Sequence, residues 1–347
     1  MGKFLKKIGL HLFCSFLATN LVIYFFIQLS PQYFLDYRYD YTFYGYHINQ
    51  VNSKTQYNNI IFGDSKGQCI SSKQLGPSWL NLSEHASGFF QGYFTIKYFL
   101  EKNKIDTLLL YYSPTAVYEF NDLDYLSRTA VPSKFVRFSD LKSLEKVEDK
   151  LGYIYSKHDS LNSFQLLYKQ LDRELRYARF PFAYSNTFLA NLSSFSSPYE
   201  NVEEKSLERL KFIKENQGQD LCGDNPFDSS LFYTNTQKVC KPDPVNLAYL
   251  DSIVSLARAD NMVLYLALAP INSTSYKTYK NSMYEKSINE FYKQLSLKYP
   301  TIHLINTPVY MPDSTFGDHY LHPNKKGAVV VSNELIEKIR SNKLTVL

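Results

Sequence analysis

Two parts of the chain alternate short apolar runs with longer segments whose apolar residues follow helical spacing. This pattern predicts strands over residues 59–63, 79–83, 105–112, 262–269 and 302–306. It predicts helices over residues 90–102, 245–260, 284–298 and 325–341. Strands that alternate with helices of about 10–15 residues are typical of a parallel sheet covered by helices on both faces. The pattern therefore predicts an α/β fold.

A long stretch, residues 115–242, interrupts this alternation. It contains charged pieces with helical spacing over residues 144–150, 166–177 and 203–215, and it lacks a convincing buried strand. We interpret it as a helical insertion between the third and fourth strands that covers one end of the sheet. A second independent domain is the alternative, which the low density of apolar residues disfavours.

The N-terminal segment is apolar enough to cross a membrane. No charged residue lies between Lys7 and Asp36, and residues 8–29 form one apolar run. A bilayer core needs about 20 mostly apolar residues in a helix. Because Lys3, Lys6 and Lys7 precede the run, the positive-inside rule predicts a cytoplasmic N-terminus and an exported chain after about residue 30.

Two other interpretations of this segment stay open. A cleavable signal peptide is disfavoured because the apolar run exceeds the usual length of about 7–15 residues and no clear cleavage site follows it. A buried soluble helix is disfavoured because polar residues do not alternate along one face. We therefore divide the chain into a cytoplasmic tip and membrane anchor (1–31), a juxtamembrane stalk (32–57) and one α/β domain (58–347).

Composition excludes some classes of protein. Apolar residues make up 44% and charged residues 20%, as in globular proteins. The chain has 38 basic and 33 acidic residues, a balance too even for a dedicated nucleic-acid-binding protein. Its four cysteines include no CxxC pair, which argues against a zinc ribbon. Cys222 and Cys240 either form a disulfide in an oxidising compartment or remain free thiols.

The first candidate for chemistry is Gly63-Asp64-Ser65, directly after the first predicted strand. In an open α/β sheet, ligands bind outside the carboxyl ends of the strands. A serine that opens the next helix has its own N–H and the helix dipole available to stabilise an anion, which suits a nucleophile. The alternative is that Asp64 or Ser65 merely caps a helix.

The second candidate is the polar loop over residues 316–324, between the last strand and the last helix. His322 in this loop has the chemistry to accept the proton of a serine hydroxyl, and Asp318 to fix the imidazole tautomer. Loop polarity and helix capping by Asn324 are the alternative explanation. The two candidates follow the first and last strands of one sheet, which favours a shared site. His85 is expected either in the same pocket or on the surface.

These blocks resemble the SGNH (GDSL-type) hydrolase superfamily, over about residues 57–113 and 243–341. The resemblance implies a three-layer, flavodoxin-like fold with Ser65 as the nucleophile. The family's late block, D-x-x-H-x-N/P-x-x-G, reads DHYLHPNKKG here, so His322 corresponds to the base. The family's second block contributes an oxyanion-hole glycine, for which Gly88 is the best match. The nucleophile's own amide, that of Ser65, is expected to share this role.

The chain departs from the family's pattern at two positions. Asp318, which we name as the orienting acid, lies four residues before the base instead of three, and His319 stands at the three-back position. The third block, G-x-N-D, is absent, and Ser113 is the polar residue at that strand end. We therefore name Ser113 as the third oxyanion donor and place Asp64 and His319 around the pocket. A metal site at His319 and His322 is disfavoured because no further ligand block lies nearby.

The resemblance and the anchor together imply a membrane-anchored, exported serine esterase or O-acyltransferase that needs no cofactor. A single N-terminal anchor with an outward SGNH-like domain is similar to the arrangement in envelope proteins of alginate O-acetylation and teichoic-acid D-alanylation. That similarity implies, as partners, the membrane lipid, a cell-surface glycan or acylated polymer and a multi-span acyltransferase, without nucleic acid. One alternative is a non-catalytic scaffold or binding protein of an envelope polysaccharide assembly. Another is a cytosolic hydrolase with a hydrophobic start.

Overall fold

The structure is a computed structural model that describes residues 2–29, 43–85, 87–113, 202–221, 244–305, 310–318 and 322–345. The chain divides into two compact units. One contains residues 1–46 and 161–211, and the other contains residues 47–160 and 212–347. The central sheet belongs to the second unit.

Helices and strands are numbered in chain order over the described residues. The helices are α1 (Gly2–Leu29), α2 (Phe43–Asn52), α3 (Ser65–Gln68), α4 (Ser72–Leu75), α5 (Phe89–Leu100), α6 (Val202–Glu215), α7 (Pro244–Ala259), α8 (Ser273–Tyr279), α9 (Met283–Lys298) and α10 (Lys325–Thr345). The strands are β1 (Asn59–Gly63), β2 (Trp79–Asn81), β3 (Thr107–Tyr112), β4 (Val263–Leu268), β5 (Ile271–Asn272), β6 (Ile302–Ile305), β7 (Tyr310–Met311), β8 (Phe316–Gly317) and β9 (His322–Pro323). A 3₁₀ turn spans Asp313–Thr315.

The central sheet has five parallel strands in the order β2-β1-β3-β4-β6. The predicted α/β fold with a parallel sheet is therefore confirmed. Because the strands are parallel, their carboxyl ends lie at one edge of the sheet. The chain leaves β1 first toward β2 and later returns to β3 on the other side, which makes the β1–β3 boundary a switch point. Ligands of open α/β sheets bind at such points.

The two faces of the sheet bury different side chains, because successive residues of a strand point to opposite faces. Ile61 and Leu109 share one buried cluster with Val331 and Leu335 of α10. On the opposite face, the ring of Phe62 contacts Tyr112, and Tyr112 in turn contacts Phe89 of α5. Helix α5 packs along α7 through Phe90, Phe94 and Tyr249. Helices therefore cover both faces.

Most predicted elements match observed ones to within a few residues. The predicted second strand is shorter than expected, since β2 ends at Asn81. There the Asn81 side chain accepts a hydrogen bond from the Ser83 N–H at 2.9 Å, which turns the backbone out of the strand. The sequence did not predict α2, whose residues Val51 and His47 are buried within the stretch interpreted as a stalk.

The predicted insertion lies largely outside the described residues. Of residues 115–242, the structure describes 202–221. Helix α6 there coincides with the charged piece predicted over residues 203–215. The pieces predicted over 144–150 and 166–177 lie outside the described residues, as do Cys222 and Cys240. The helical insertion and the pairing of these cysteines therefore stay predictions.

Helix α1 is a candidate membrane span. Residues Gly2–Phe25 are long and apolar enough to cross a bilayer, and none of that window is buried. At about 1.5 Å per residue, such a helix exceeds the roughly 30 Å of a bilayer core. A signal sequence passes the same test, so the choice between anchor and signal peptide stays a prediction.

We predict that Gly63→Ala strongly destabilises the second unit. An alanine Cβ at this position would lie 1.7 Å from the Tyr111 carbonyl oxygen, a backbone atom that cannot move aside. We expect a loss of about 3 kcal/mol or more, at the upper end of overpacking costs. The test is thermal unfolding of the purified chain. Gly9→Ala, which would meet no atom within 4 Å, is the control, and equal midpoints for both variants would contradict the prediction.

Candidate functional site

Ser65 is the first residue of the short helix α3, directly after β1. Asp64 caps this helix, since its carboxylate accepts a hydrogen bond from the Lys66 N–H at 2.9 Å. The cap fixes the turn that carries Ser65 at the carboxyl edge of the sheet. In the described part of the chain, the Ser65 N–H donates to no acceptor, as expected for the first amide of a helix.

Gly63 is required because the backbone of β3 approaches it closely, and not because the turn has an unusual conformation. A tight strand-to-helix turn with positive φ would be the usual reason for a glycine at this position. Among the described residues, positive φ at glycine occurs at Gly76 and Gly218, and Gly63 does not share it. Its α-carbon instead faces the Tyr111 carbonyl of the paired strand β3, where a side chain has no room.

Asp64 also joins the ends of β1 and β3. Its second carboxylate oxygen accepts hydrogen bonds from the N–H of Ser113, at 2.8 Å, and from the Ser113 hydroxyl. Asp64 is 6% exposed, so these donors replace the water that its charge would otherwise require. Asp64 therefore lies beside Ser65 as predicted, but its observed role is to hold the serine-bearing turn against β3.

His322 contacts the Ser65 side chain. It belongs to a two-residue strand, β9, that pairs with β8 in an antiparallel hairpin. Its Nε2 atom is 2.8 Å from the Ser65 hydroxyl oxygen, although the two residues are 257 positions apart in the chain. The structure therefore brings the serine and the imidazole into direct hydrogen-bonding contact.

Asp318 contacts the other nitrogen of the same ring. Its carboxylate lies 3.2 Å from Nδ1 of His322, and the two side chains are 15% and 12% exposed. Asp318 has a φ of 49°, in the left-handed region that aspartate tolerates better than most residues. This turn begins the hairpin loop, so the acid reaches the ring from four residues away. The longer spacing noted in the sequence is accommodated in this way.

The hydrogen bonds indicate which atoms of Ser65, His322 and Asp318 carry a proton. An ionised carboxylate only accepts hydrogen bonds, so Nδ1 of His322 carries the ring proton toward Asp318. In the neutral ring Nε2 is then an acceptor, and the Ser65 hydroxyl donates to it. This is the arrangement in which a histidine is able to take a proton from a serine.

The surroundings of His322 keep it neutral. Burial lowers the pKa of the imidazole below its ordinary value, and the positive charge of Lys66 lowers it further. Asp318 acts in the opposite direction, and His85 adds to the lowering. The effects that lower the pKa of His322 outweigh those that raise it, so the ring remains a proton acceptor at neutral pH.

The fully buried side chain of Asn81 anchors helix α3 and the residues that follow it by hydrogen bonds. The two N–H groups of its side-chain amide are shared among the carbonyls of Gly67, Gln68 and Ile70, which lie 2.8, 3.3 and 3.0 Å away. The last carbonyls of a helix lack partners inside the helix, and this one side chain satisfies several of them. The sequence pattern did not predict this anchoring role of Asn81.

Two of the predicted oxyanion donors are engaged elsewhere. The Gly88 N–H donates to the Gln91 side chain at 2.8 Å, at the start of α5. The Ser113 N–H and hydroxyl both donate to Asp64. Their assignment as oxyanion donors stays a prediction, since each group would have to give up its present acceptor. Of the three predicted donors, the Ser65 amide is the one that donates to no other described residue.

His319 lies outside the described residues, so its place near the pocket stays a prediction. His85, which the sequence left between pocket and surface, is exposed and has its ring centroid 6.1 Å from that of His322. Within the described residues, no three His, Cys, Asp or Glu side chains gather as metal ligands.

The chain matches no protein-family model, and no curated protein matches it. The functional interpretation therefore rests on the residues and their geometry.

We predict that Asp64→Asn destabilises the second unit more than Ser113→Ala does. The asparagine loses a charged acceptor of several buried hydrogen bonds, at about 2–3 kcal/mol, whereas the alanine loses one donor, at about 1 kcal/mol. Urea unfolding of the purified chain measures both. Asp251→Asn, at an exposed ion pair with Lys298, is the control and should change stability by less than about 0.5 kcal/mol. The role of Asp64 is disproved if Asp64→Asn behaves like this control.

Proposed function

We propose that the protein is a membrane-anchored, exported, SGNH-like serine esterase or O-acyltransferase that acts on acyl esters of cell-surface glycans or polymers. The observation that carries this proposal is the hydrogen-bonded series Ser65–His322–Asp318 at the switch point of the sheet. A serine, a histidine and a carboxylate in this order are the groups of nucleophilic acyl transfer.

The chemistry follows from the hydrogen bonds. The Ser65 oxygen attacks the acyl carbon while its proton passes to Nε2 of His322, and Asp318 stabilises the imidazolium that forms. When the bond between the acyl carbon and the alcohol oxygen breaks, the imidazolium gives this proton to the leaving alcohol. Water or a sugar hydroxyl then attacks the acyl-serine through the same histidine, which makes the protein a hydrolase or a transferase.

The sheet order adds support to this family assignment. Counted over the central strands alone, the order is 2-1-3-4-5, which is that of flavodoxin-like sheets. The resemblance to SGNH hydrolases implied this architecture. A fold alone does not assign an activity, and the site remains the main argument.

The occupied donors favour a second candidate function. Loss of one oxyanion donor typically slows an enzyme about 10²–10³-fold, and here both Gly88 and Ser113 donate to other groups. This observation favours a non-catalytic scaffold or binding protein of an envelope polysaccharide assembly. The aligned Ser65 and His322 favour the enzyme, because a scaffold has no need of a serine hydroxyl that donates to an imidazole.

The apolar helix α1 supports the proposed location. Its exposed apolar surface fits the lipid core, and Lys3, Lys6 and Lys7 at its start favour a cytoplasmic N-terminus. The second unit would then lie in the periplasm or outside the cell. Its partners would be the lipid, the glycan or acylated polymer, and a multi-span acyltransferase that supplies the acyl group.

We predict that a fluorophosphonate labels Ser65. Attack by the activated oxygen displaces fluoride and forms a stable bond to phosphorus, so Ser65→Ala should abolish labelling. His322→Gln should slow labelling by about 10²–10⁴-fold because it removes the general base. Labelled protein is quantified by gel fluorescence, with Ser255→Ala, an exposed serine on α7, as the control. Labelling that is equal in the wild type and in Ser65→Ala would exclude the serine mechanism.

We also predict the pH dependence of this labelling. Only neutral His322 accepts the serine proton, and its pKa is lowered by burial, so the rate should fall to half only below pH 6.5. In Asp318→Asn the negative charge that raises this pKa is lost, so the midpoint should move to still lower pH. A midpoint above 7 in the wild type would show that His322 is not the titrating base.

A third prediction concerns topology. If α1 is an uncleaved anchor, the mature protein retains its N-terminus and protease added to spheroplasts digests the second unit. Intact-mass analysis and immunoblotting of an N-terminal tag measure the two outcomes. A mature chain that starts after α1 would favour the signal peptide, and a protected second unit would favour the cytosolic alternative.

A further inference from the structure

His85 is the exposed imidazole nearest to the described series of catalytic groups. Its ring centroid lies 6.1 Å from that of His322, with the rings tilted by 48°. His85 belongs to the loop between β2 and α5, which is fixed on both sides of it. The Glu84 N–H and the Ser87 hydroxyl both donate to the Gly63 carbonyl at the end of β1. The loop therefore holds His85 beside the serine-bearing turn.

The charged groups around His322 come from three elements. Lys66 belongs to α3, His85 to the β2–α5 loop, and Asp318 to the β8–β9 hairpin that carries His322 itself. Lys66 and His85 disfavour a charge on the His322 ring, and the Asp318 carboxylate favours it. Glu84 is the acidic neighbour of His85 along the chain, and it is 4% exposed.

We propose that His85 is a positioning residue of the site, whose own charge acts through His322 and holds that ring in its proton-accepting form. This inference rests on the proposed function only in that His322 serves as the base. Two imidazoles at this separation do not both become charged without mutual repulsion. When the exposed His85 ring carries a charge, that charge disfavours protonation of the buried His322 ring. The site then stays active to lower pH than His322 and Asp318 alone would allow.

The experiment compares two substitutions of this exposed side chain in the full chain, purified in detergent. His85→Gln is neutral at every pH, whereas His85→Lys is charged throughout the range in which His322 titrates. We measure the rate of fluorophosphonate labelling of Ser65 from pH 4.5 to pH 8.5, and titrate the His322 ring by NMR of the chain labelled with ¹³C-histidine. His322→Gln identifies the resonance.

A unit charge about 6 Å away in a water-like medium shifts a pKa by roughly half a unit. His85→Gln should therefore move the acid limb of labelling and the NMR midpoint up by about half a pH unit. Its labelling rate should fall about threefold below the midpoint and remain unchanged at pH 8. His85→Lys should keep both midpoints at or below those of the wild type. A residue that only supports the loop would lower the rate equally at every pH.

The proposal is overturned if the His322 midpoint in His85→Gln coincides with that of the wild type, or if His85→Lys moves it upward as much as His85→Gln does. The NMR arm does not require activity. If the fluorophosphonate does not label Ser65 in the wild-type chain, the proposed function is contradicted. The NMR titration midpoints of His322 would still decide the role of His85.

Discussion

The close parallel pairing of β1 with β3 is the constraint on which the site depends. Gly63 lies against the Tyr111 carbonyl, and only a residue without a side chain fits there. This approach places the turn after β1 beside the end of β3, within reach of one carboxylate. Asp64 then hydrogen-bonds to Ser113 across the boundary, and Ser65 follows at the start of a short helix. The position of the serine is therefore set by strand packing.

A second constraint fixes the imidazole from the other end of the chain. The β8–β9 hairpin carries both His322 and Asp318, so the acid and the ring are positioned by local pairing. The contact between His322 and Ser65 joins the hairpin directly to the serine-bearing turn. Anchoring of α3 by Asn81 keeps the serine from moving away from the ring. Pre-organisation of this kind is what lets a serine react without a large rearrangement.

Sequence patterns predicted the frame of this molecule but not its hydrogen-bonded supports. Strand Thr107–Tyr112 is buried throughout and strand Asn59–Gly63 is buried from Ile60 onward, so their apolar patterns are strong. Ser65, Asp318 and His322 were identified because their residue types and places at strand ends carry chemistry. The Asp64–Ser113 bond joins residues 49 positions apart, and the three carbonyl contacts of Asn81 have no periodic signal. The left-handed backbone conformation at Asp318 could likewise not be predicted from the sequence, since it depends on the surrounding hairpin.

The central claim is that the Ser65 hydroxyl and the His322 imidazole form one reactive pair. A crystal structure of the chain after reaction with a fluorophosphonate tests it most directly. The account predicts phosphorus bonded to the Ser65 oxygen, with His322 beside it and Asp318 on the far nitrogen of the ring. An unmodified Ser65, or a His322 ring turned away from it in the unreacted protein, would contradict the account.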